Sequence, residues 1–283
     1  MLIAGPTASG KSALAMELAA RDSRVIVNAD ALQVYANWRI LTARPTPEDE
    51  ARAPHALYGH VAREAPYSVG HWLSEVEGVL AQGRPVVIVG GSGLYLSALA
   101  EGLAEVPPVP PEIRAEADAL RTGDPARMLG EIDPATAARI DPRNPARVQR
   151  AWEVLRATGR GLAEWQAQAP ARPLLPLARA EALVLSADAA WLNPRIERRL
   201  GRMIAEGALD EVRRELPHLG AGHGTARPSA RAIGAAELAR HLRGEVSLDE
   251  AMAAAVIATR RYAKRQRTWL RARMREWQSV PLP

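Results

Sequence analysis

The sequence has no cysteine and no phenylalanine, and only two of its 37 basic residues are lysines. Without cysteine the chain forms no disulfide, holds no thiolate zinc site and carries no cysteine nucleophile. No apolar run reaches the ~18 residues that a membrane-spanning helix needs. The first residues, Met1 to Gly5, bring no basic segment and no cleavable apolar stretch, so no signal peptide is predicted. We therefore expect a soluble, cytoplasmic protein with no membrane partner.

The composition that remains is typical of a globular protein. The chain has 283 residues, of which 47% are hydrophobic and 24% charged, which is enough for one large domain or for a core with an insertion. The net charge is +5 and the pI is about 10.0, which weakly favours a polyanionic partner. Lys11 and Lys264 stand out against a strong preference for arginine, and they indicate positions where an ammonium group serves and a guanidinium does not.

Residues 5–12 match the phosphate-binding loop pattern G-x-x-x-x-G-K-[ST]. A short apolar strand, Leu2–Ala4, precedes the loop, and the apolar spacing that begins at Leu14 predicts a helix after it. In this motif the helix N-terminus and the lysine bind phosphate oxygens, and the Ser12 hydroxyl can bind Mg²⁺. The sequence therefore predicts a nucleotide- or ATP-type site for a di- or triphosphate. The predicted phosphate-binding residues are Gly5, Pro6, Thr7, Ala8, Ser9, Gly10, Lys11 and Ser12.

An acidic residue, Asp30, follows the second apolar strand, Val25–Val27. At the carboxyl end of a parallel strand it lies in the crevice where α/β sheets bind ligands. There it would bind Mg²⁺ or accept a proton, and the alternative is a helix N-cap, for which aspartate is also suited. A third apolar strand, Val86–Val89, leads into a glycine cluster and not into a second acid. Hydrolytic NTPases carry an acid there, so this feature argues against a hydrolytic NTPase.

The middle of the chain changes character at a proline-rich segment, Val106–Pro111. Short helical patterns follow, with no strand signal until Ala182–Leu185. We therefore predict an all-helical insertion, residues 112–178, in an α/β core formed by residues 1–111 and 179–283.

Two Asn-Pro pairs mark predicted helix starts in the second half of the chain. Asn144 predicts the start of a helix that ends near Gly159, and Arg147 and Arg150 lie on one side of it. That basic side is either a solvated surface or an RNA contact. Asn193, which precedes the second proline, predicts the start of another helix.

The last long helix, which a capping box at Ser247–Glu250 begins, carries a basic run that contains no acid. Like charges on one helix repel one another, and a polyanion would relieve that repulsion. Tyr262 and Trp269 are interleaved with the charges, as in nucleic-acid-binding surfaces. Upstream of this helix, Arg231 lies at a loop or helix entry that could place it on an anion. The basic run consists of Arg260, Arg261, Lys264, Arg265, Arg267, Arg271, Arg273 and Arg275.

Taken in chain order, these motifs resemble the tRNA dimethylallyltransferases, also called tRNA isopentenyltransferases. The resemblance runs over nearly the whole chain and is much more specific than the phosphate-binding loop alone. It implies an α/β, P-loop NTPase-like core with a parallel sheet flanked by helices, plus the all-helical insertion. The matching stretches are Gly5–Ser12, Asp30–Tyr35, Thr42–Pro45, Ala53–His55, Gly90–Leu96, Asp141–Pro145, Arg147–Val154, Arg231–Gly234, Ala263–Gln266 and Thr268–Leu270.

The resemblance implies transfer of a dimethylallyl group from dimethylallyl diphosphate to N6 of the adenosine just 3′ of the anticodon. The implied acceptors are tRNAs that read codons starting with U, and diphosphate is released. The resemblance also implies Mg²⁺, a monomer and an insertion that grips the anticodon stem-loop. Asp30 is the implied general base, and Lys11, Ser12 and Arg231 are the other implied catalytic residues, with Ser12 on the metal. The implied tRNA-binding residues are Asp30, Ala31, Leu32, Gln33, Ser92, Arg114, Ala146, Arg147, Val148, Gln149, Arg150, Arg231, Ala232, Ile233, Gly234, Lys264, Arg265 and Gln266.

The sequence departs from the family pattern at four positions within or next to these stretches. Ala31 stands where serine is usual, Leu41 where glycine is usual and Ala235 where tyrosine is usual. Ser92 replaces threonine but keeps the hydroxyl. These departures bear on fine substrate contacts and not on the class of reaction.

Three other functions are compatible with parts of the sequence. A small-molecule kinase would share the phosphate-binding loop but would transfer a γ-phosphoryl group. An adenylate isopentenyltransferase would use similar chemistry on a free nucleotide, and the helical insertion and the basic helix would be superfluous. A non-catalytic RNA-binding protein would have no need for an intact Lys11, Ser12 and Asp30. The tRNA-type motifs favour the tRNA-modifying enzyme over all three.

Overall fold

The computed structural model describes residues 1–168, 172–219 and 228–283. Strands and helices alternate along much of this length. The strands are β1 (Leu2–Ala4), β2 (Val25–Asn28), β3 (His55–Ala56), β4 (Val86–Gly90), β5 (Ala182–Ser186) and β6 (Gln278–Pro281). The helices are α1 (Lys11–Asp22), α2 (Pro47–Arg52), α3 (Val69–Leu80), α4 (Gly93–Glu101), α5 (Pro111–Gly123), α6 (Pro125–Gly130), α7 (Pro134–Ala137), α8 (Pro145–Thr158), α9 (Leu162–Ala167), α10 (Ala189–Ala205), α11 (Ala208–Glu215), α12 (Ala235–Leu242) and α13 (Leu248–Arg273).

The strands form one parallel sheet in the order β3-β2-β4-β1-β5-β6. β1 lies inside the sheet, with Ile3 opposite Val89 of β4 and Leu183 of β5. A strand that is covered on both faces is apolar at every position, which explains the continuous apolar runs of β1 and β4. The predicted α/β fold, a parallel sheet flanked by helices, is confirmed.

Helices cover both faces of this sheet because successive strand residues point to opposite sides. Leu2 packs with Trp72 of α3 on one face, and Ile3 packs with Ala15 of α1 on the other. The Trp72 indole Nε1 donates a hydrogen bond of 2.7 Å to the carbonyl oxygen of Asn28, so its buried polar atom is satisfied. The core therefore fixes β2 at the point where the chain leaves the sheet toward Asp30.

The chain divides into two compact units. One unit, Met1–Ala100 with Leu174–Pro283, holds the sheet, and the other, Glu101–Pro173, is helical. The first division lies at 100/101, upstream of the predicted 111/112, because the extended proline-rich segment before α5 belongs to the helical unit. The second lies at 173/174, upstream of the predicted 178/179. Residues 169–171 of the predicted insertion lie outside the described residues.

The predicted helix in the second unit is confirmed as α8. The Asn144 side chain accepts a hydrogen bond from the Arg147 amide, and Gly159 ends the helix with φ 69°, a conformation that favours glycine. On the buried side of the helix, Trp152 packs with Met128 in a separate hydrophobic core that belongs to the helical unit. The start and the end of α8 follow from local capping chemistry.

Helix α10 begins earlier than predicted. Asp188 is its N-cap, and its carboxylate accepts a hydrogen bond of 2.7 Å from the Trp191 amide. Pro194 lies inside the helix. A proline near the start of a helix removes only one backbone hydrogen bond, and the stronger cap upstream determines where the helix begins. The predicted start at Asn193 is therefore wrong.

The last long helix begins as predicted. The Ser247 hydroxyl accepts a hydrogen bond from the Glu250 amide, and the Glu250 carboxylate accepts one from the Ser247 amide, which completes the capping box. Strand β6 follows this helix and pairs with β5, and the sequence did not predict it. Within the described residues, no helix is both long enough and apolar enough to cross a membrane.

Candidate active site

The phosphate-binding loop joins β1 to α1, which is the context that the motif requires. Gly10 at the helix N-cap has φ 89°, a left-handed conformation that glycine adopts without strain. The Lys11 Nζ donates a hydrogen bond of 3.3 Å to the Pro6 carbonyl, so the side chain folds back over the loop. The loop thus brings an ammonium group and a helix N-terminus together, an arrangement that binds phosphate.

Asp30 follows β2 and is fixed through its backbone and its side chain. The fully buried Asn28 accepts a hydrogen bond of 2.8 Å from the Asp30 amide and donates one of 3.0 Å to the Asp30 carbonyl. Asp30 Oδ1 accepts a hydrogen bond of 2.9 Å from the Leu32 amide. Its Oδ2 makes no hydrogen bond to the residues that the structure describes. The carboxylate therefore presents one free oxygen. Within the described residues, no α-helix begins directly after Asp30, so Asp30 is not an α-helix N-cap.

Lys11 and Asp30 line the same cavity, of about 80 Å³. Lys11 and Arg199 also line an adjoining open groove of about 1160 Å³, so the cavity is continuous with a wide basic surface. The residues that line the cavity are Thr7, Lys11, Asp30, Leu32, Gln33, Leu41, Thr42, Ile196, Arg199, Leu200, Met203, Ile233, Thr259 and Tyr262. The phosphate-binding loop and the candidate base therefore face one small space.

Burial determines the electrostatics of this cavity. It lowers the pKa of Lys11 to about 8, while the charge of Asp30 raises that pKa and the charge of Arg199 lowers it. Burial also lowers the pKa of Arg199, against the attraction of Asp30. Burial raises the pKa of Tyr262 far above its ordinary value, and the negative charge of Asp30 adds to the effect. The cavity thus holds two cationic groups and one carboxylate, a balance that favours an anionic ligand.

Two arginines of α10, Arg195 and Arg199, contact the phosphate-binding loop, and the sequence did not single them out. Arg195 Nε donates a hydrogen bond of 2.9 Å to the Ala8 carbonyl, and an Arg199 Nη donates one of 3.1 Å to Thr7 Oγ1. Their spacing of one helical turn beside the buried residue Ile196 is the signal that was available. That spacing is equally typical of a solvated helix face, so it does not reveal the contact by itself.

Gln266 of α13 joins the phosphate-binding loop to the end of β4. Its Oε1 accepts a hydrogen bond of 2.8 Å from the Thr7 amide, and its Nε2 donates one of 3.1 Å to the Gly91 carbonyl. The side chain is 5% exposed. Gln266 was predicted to bind tRNA, and the structure places its amide in contacts within the protein. Lys264 and Arg265, its predicted partners in RNA binding, are exposed on the same helix.

The glycine cluster after β4 allows close approach of other parts of the chain. A side chain at Gly90 would place its Cβ 2.0 Å from the Ala29 carbonyl oxygen, and one at Gly93 would place it 2.1 Å from the Trp269 ring. Both distances are far below van der Waals contact, so only glycine fits. Ser92, in the same segment, accepts a hydrogen bond of 2.9 Å from the Ala31 amide. The cluster therefore packs β4 against β2 and α13 beside the candidate base.

The other residues predicted near Asp30 lie around the cavity. Leu32 and Gln33 line it, and Gln33 Nε2 donates to the carbonyls of Thr42 and Ala43 at 2.8 and 2.9 Å. Gln33 therefore stabilises the loop that carries Leu41 and Thr42 into the cavity wall.

Arg231 lies outside the cavity. It ends a short 3₁₀ segment, Pro228–Arg231, and its side chain is exposed. Ile233 lines the cavity instead, Ala232 is buried, and Gly234 is the N-cap of α12 with φ 94°. The structure thus brings Lys11 and Asp30 together but does not place Arg231 beside them.

The predicted tRNA-binding residues of the helical unit lie on α5 and α8. Arg114, Ala146 and Arg147 are exposed, whereas Val148 is buried in the core of that unit. Gln149 donates hydrogen bonds to Asp118 and Glu153 at 2.9 and 2.8 Å. Arg150 lies 4.0 Å from Glu153, and its pKa is lowered by burial and by the charge of Arg114. Apart from the buried Val148, these residues lie on the surface of α5 and α8.

The residues present fit a magnesium ion only with help from a ligand. No group of three or more His, Asp or Glu side chains among the described residues is arranged to hold a metal. Ser12 offers an exposed hydroxyl beside the groove. Because Mg²⁺ commonly takes one or two protein oxygens together with phosphate oxygens and water, a hydroxyl at this place suits a diphosphate-bound ion.

Comparison with known proteins places the chain in a family. The IPP transferase family model matches residues 33–273, and the isopentenyl transferase model matches residues 1–55. A tRNA dimethylallyltransferase of Dinoroseobacter shibae is 64% identical over 284 residues, covering 99% of this chain and 94% of the relative. One from Paracoccus denitrificans is 58% identical over 290 residues, covering 99% and 93%.

Solved structures agree with this placement. The full-length tRNA isopentenylpyrophosphate transferase from Bacillus halodurans has 29% sequence identity and a TM-score of 0.66, over 99% of this chain and 88% of that one. A eukaryotic dimethylallyltransferase acting on tRNA has a TM-score of 0.78 and covers 99% of this chain and 73% of that one, and at 23% identity it supports the fold alone. The chain belongs to the IPP transferase family, that of the tRNA dimethylallyltransferases.

Proposed function

We propose that the protein transfers a dimethylallyl group from dimethylallyl diphosphate to N6 of the adenosine just 3′ of the anticodon, in tRNAs that read codons starting with U. The observation that carries the proposal is the cavity that Lys11 and Asp30 share. One side of it is a phosphate-binding loop, and the other presents a carboxylate oxygen to an acceptor. The family supports the same reaction.

Asp30 is the proposed general base. The exocyclic amine of adenine is a poor nucleophile because its lone pair is delocalised into the ring. As the bond between N6 and the allylic carbon forms, the amine loses a proton to the free oxygen of Asp30. A base held in this position contributes about 10²–10⁴-fold to the rate. Asn28 and the Leu32 amide orient the carboxylate for this transfer.

The larger electrostatic contribution to catalysis is the stabilisation of negative charge on the leaving diphosphate. The bond between the allylic carbon and oxygen breaks, and its electron pair goes to the diphosphate. Thr7 and Lys11 of the phosphate-binding loop line the cavity, and this loop would stabilise the developing negative charge. Mg²⁺ on the Ser12 hydroxyl would supply further positive charge there when bound. Arg231 stays a predicted contact to the diphosphate and the RNA.

The RNA acceptor is supported by features outside the cavity. The helical unit presents Arg114 and Arg147 to solvent, and α13 presents Lys264 and Arg265. An adenosine can reach Asp30 only if it is extruded from the RNA stack. We propose that these cations bind the anticodon stem-loop. We also expect a monomer that acts in the cytoplasm.

The competing functions account for fewer of these features. A kinase explains Lys11 and the phosphate-binding loop, but it does not account for the tRNA-type motifs or for the missing acid after β4. An adenylate isopentenyltransferase explains the cavity, but it gives the basic run of α13 no partner. A non-catalytic RNA-binding protein would not maintain the network that orients Asp30.

One assay separates these functions. Labelled dimethylallyl diphosphate, ATP, AMP and an anticodon stem-loop RNA are incubated together with the protein, and each acceptor is analysed for label. We expect label on the RNA alone. Asp30→Asn keeps the size of the side chain but removes the base, and we expect a fall of at least 10²-fold in kcat with RNA affinity nearly unchanged. Label on AMP, or phosphate leaving ATP, would contradict the proposal.

A further inference from the structure

The lining of the cavity is divided between polar and apolar groups. Thr7, Lys11 and Asp30 supply polar or charged groups, whereas much of the remaining lining is hydrocarbon. An allylic diphosphate has the same division, because a charged diphosphate is joined to a branched hydrocarbon. The hydrocarbon of the donor therefore belongs against the apolar part of the lining. That part consists of Leu32, Leu41, Ile196, Leu200, Met203 and Ile233.

The cavity opens toward the groove at the residues that the two spaces share. Lys11, Gln33, Arg199 and Met203 line both of them. Leu41 lines the cavity and not the groove, and it is 6% exposed. A donor whose diphosphate lies at Lys11, beside the opening, would extend its hydrocarbon into the enclosed part of the cavity, where Leu41 lies.

Leu41 is held in place through its backbone and its side chain. Its amide donates a hydrogen bond of 2.8 Å to the buried carboxylate of Glu211. Its Cδ1 lies 3.2 Å from the point that a Cβ would occupy at Gly234, so the side chain packs closely against that glycine. Leu41 also belongs to a buried cluster with Trp38 and Val212. Because a protein interior is close-packed, a side chain confined in this way forms a rigid wall.

The size of the cavity limits what this wall admits. The volume of the cavity is about 80 Å³, whereas an apolar protein cavity of about 150 Å³ holds one benzene molecule. The space beside Lys11 and Asp30 is thus suited to one five-carbon branched group at most, and it excludes a ten-carbon chain. Extra methylenes in a well-packed space force the neighbouring side chains out of their preferred rotamers.

We propose that Leu41 is a specificity-determining residue, which limits the transferred allylic group to one five-carbon unit by closing the cavity behind it. This inference rests on the proposed function and adds a determinant of donor length to it. A longer donor would undergo the same reaction: the carbon–oxygen bond breaks, the diphosphate keeps the electron pair, and N6 bonds to the allylic carbon while losing a proton to Asp30. The discrimination is therefore steric, and a smaller side chain at position 41 relaxes it.

The test measures transfer of allylic groups of increasing length to the anticodon stem-loop. The donors are dimethylallyl diphosphate, two analogues whose trans methyl group is extended by one and by two carbons, and geranyl diphosphate. The variants are Leu41→Ala and Leu41→Val. Leu99→Ala is the matched control, because Leu99 is a fully buried leucine of α4 that lines neither the cavity nor the groove. kcat/KM is measured for each donor, with thermal unfolding to establish that each variant folds.

We expect kcat/KM of the wild type to fall by about 10-fold or more for each carbon added to the donor, which is typical of one methylene too many in a closed apolar pocket. Leu41→Ala shortens the side chain that forms the wall, so the donor extended by two carbons should regain at least about 10-fold relative to dimethylallyl diphosphate. Leu41→Val removes less of the side chain and should regain less. Leu99→Ala should keep the wild-type preference among the donors, whatever its stability.

The outcomes separate this inference from the proposed function. A wild-type protein that transfers no dimethylallyl group to the RNA contradicts the proposed function. A wild-type protein that transfers this group and the longer groups equally well overturns the role of Leu41 alone. The same holds if Leu41→Ala keeps the wild-type preference, or if Leu99→Ala relaxes it as much as Leu41→Ala does. If Leu41→Ala does not fold, Leu41→Val decides, and the wild-type preference in that variant overturns the inference.

Discussion

At the scale of single residues, the cavity holds more positive than negative charge. Lys11 and Arg199 are cations in a poorly hydrated place, and Asp30 balances only part of their charge. We expect such a site to bind a diphosphate, because that ligand would supply the missing negative charge. It also becomes sensitive to pH, because burial has moved the pKa of Lys11 to about 8.

We predict that affinity for the allylic donor falls as the pH rises through about 8. Below that pH Lys11 is charged and binds phosphate, and above it the free protein holds a neutral lysine that must take up a proton on binding. Each further pH unit should therefore weaken binding by up to about tenfold. Calorimetry with an unreactive thio analogue of dimethylallyl diphosphate, in two buffers of different ionisation enthalpy, measures both affinity and proton uptake.

A comparison variant sharpens this prediction. Lys11→Arg keeps the charge at every pH, so its affinity should be lower but independent of pH in this range. Wild-type affinity that stays constant from pH 7 to pH 9 would show that Lys11 does not titrate there.

Sequence motifs predicted the functional residues that can be recognised from their immediate neighbours in the chain. They did not predict contacts between residues that are far apart in the sequence. Lys11 belongs to a loop of consecutive residues, and Asp30 follows a strand directly, so both could be recognised from their immediate neighbours. Arg199 reaches Thr7 across 192 positions of the chain. Only the folded sheet, which places β5 and α10 beside β1, brings these two together.

At the scale of elements, α11 supports the loop that completes the cavity. The buried carboxylate of Glu211 accepts hydrogen bonds from the amides of Arg39, Ile40 and Leu41, at 2.6, 3.0 and 2.8 Å. Three backbone donors on one carboxylate fix the course of this loop, and Leu41 lies in the cavity wall. The loop forms neither a helix nor a strand, and its course depends on this carboxylate together with the Gln33 amide and two backbone hydrogen bonds of its own, from Ala43 to Ile40 and from Arg44 to Arg39.

We predict that Glu211→Ala lowers the free energy of unfolding by about 2–4 kcal/mol, because it leaves three amides without partners and opens a small void. The displaced loop should also raise KM for the donor more than it lowers kcat. Urea unfolding and steady-state kinetics measure the two effects. Glu17→Ala on the exposed face of α1 is the control, and equal stability of the two variants would refute the role given to Glu211.

The elements differ in how clearly the sequence marks them. Continuous apolar runs identified β1, β2, β4 and β5, and capping residues identified α8 and α13. β6 has neither signal, because only Val280 in it is strongly apolar and the strand ends at a proline. The start of α10 was missed because the Asn-Pro pair looked like a cap, whereas the helix passes through Pro194.

At the scale of the whole molecule, positive charge is concentrated on α13. The net charge of the chain is +5, and the basic run of this helix includes Lys264 and Arg267, which also line a surface groove of about 490 Å³. Binding of RNA to such a surface releases counterions, so its strength depends on salt. The overall composition therefore predicts a measurable property and not only a class of partner.

We predict that added salt weakens binding of the anticodon stem-loop. The logarithm of Kd should rise linearly with the logarithm of the salt concentration. Replacing Lys264 and Arg267 together by alanine should lower the slope by roughly 1.5, about 0.7–0.9 for each lost phosphate contact. Arg214→Gln, which removes an exposed arginine of α11, should leave the slope unchanged. Fluorescence anisotropy at increasing NaCl concentration provides the measurement, and a flat response in the wild type would exclude an electrostatic RNA interface.

The division into a sheet-containing unit and a helical unit followed from composition, but its positions did not. Prolines mark the stiff segment before α5, and the sequence does not show which unit that segment joins. Which unit the segment joins depends on how it packs, and an extended segment shows no periodic pattern of apolar residues from which its packing could be predicted.

The Gln266 bridge has a consequence for which side chains this position tolerates. The oxygen of its neutral amide accepts a hydrogen bond from the Thr7 amide, and the nitrogen donates one to the Gly91 carbonyl. Glutamate would set two acceptors against each other at Gly91, and lysine or arginine would set two donors against each other at Thr7. Although α13 is rich in cations, the geometry of the phosphate-binding loop thus depends on a side chain of that helix that must carry no charge at all.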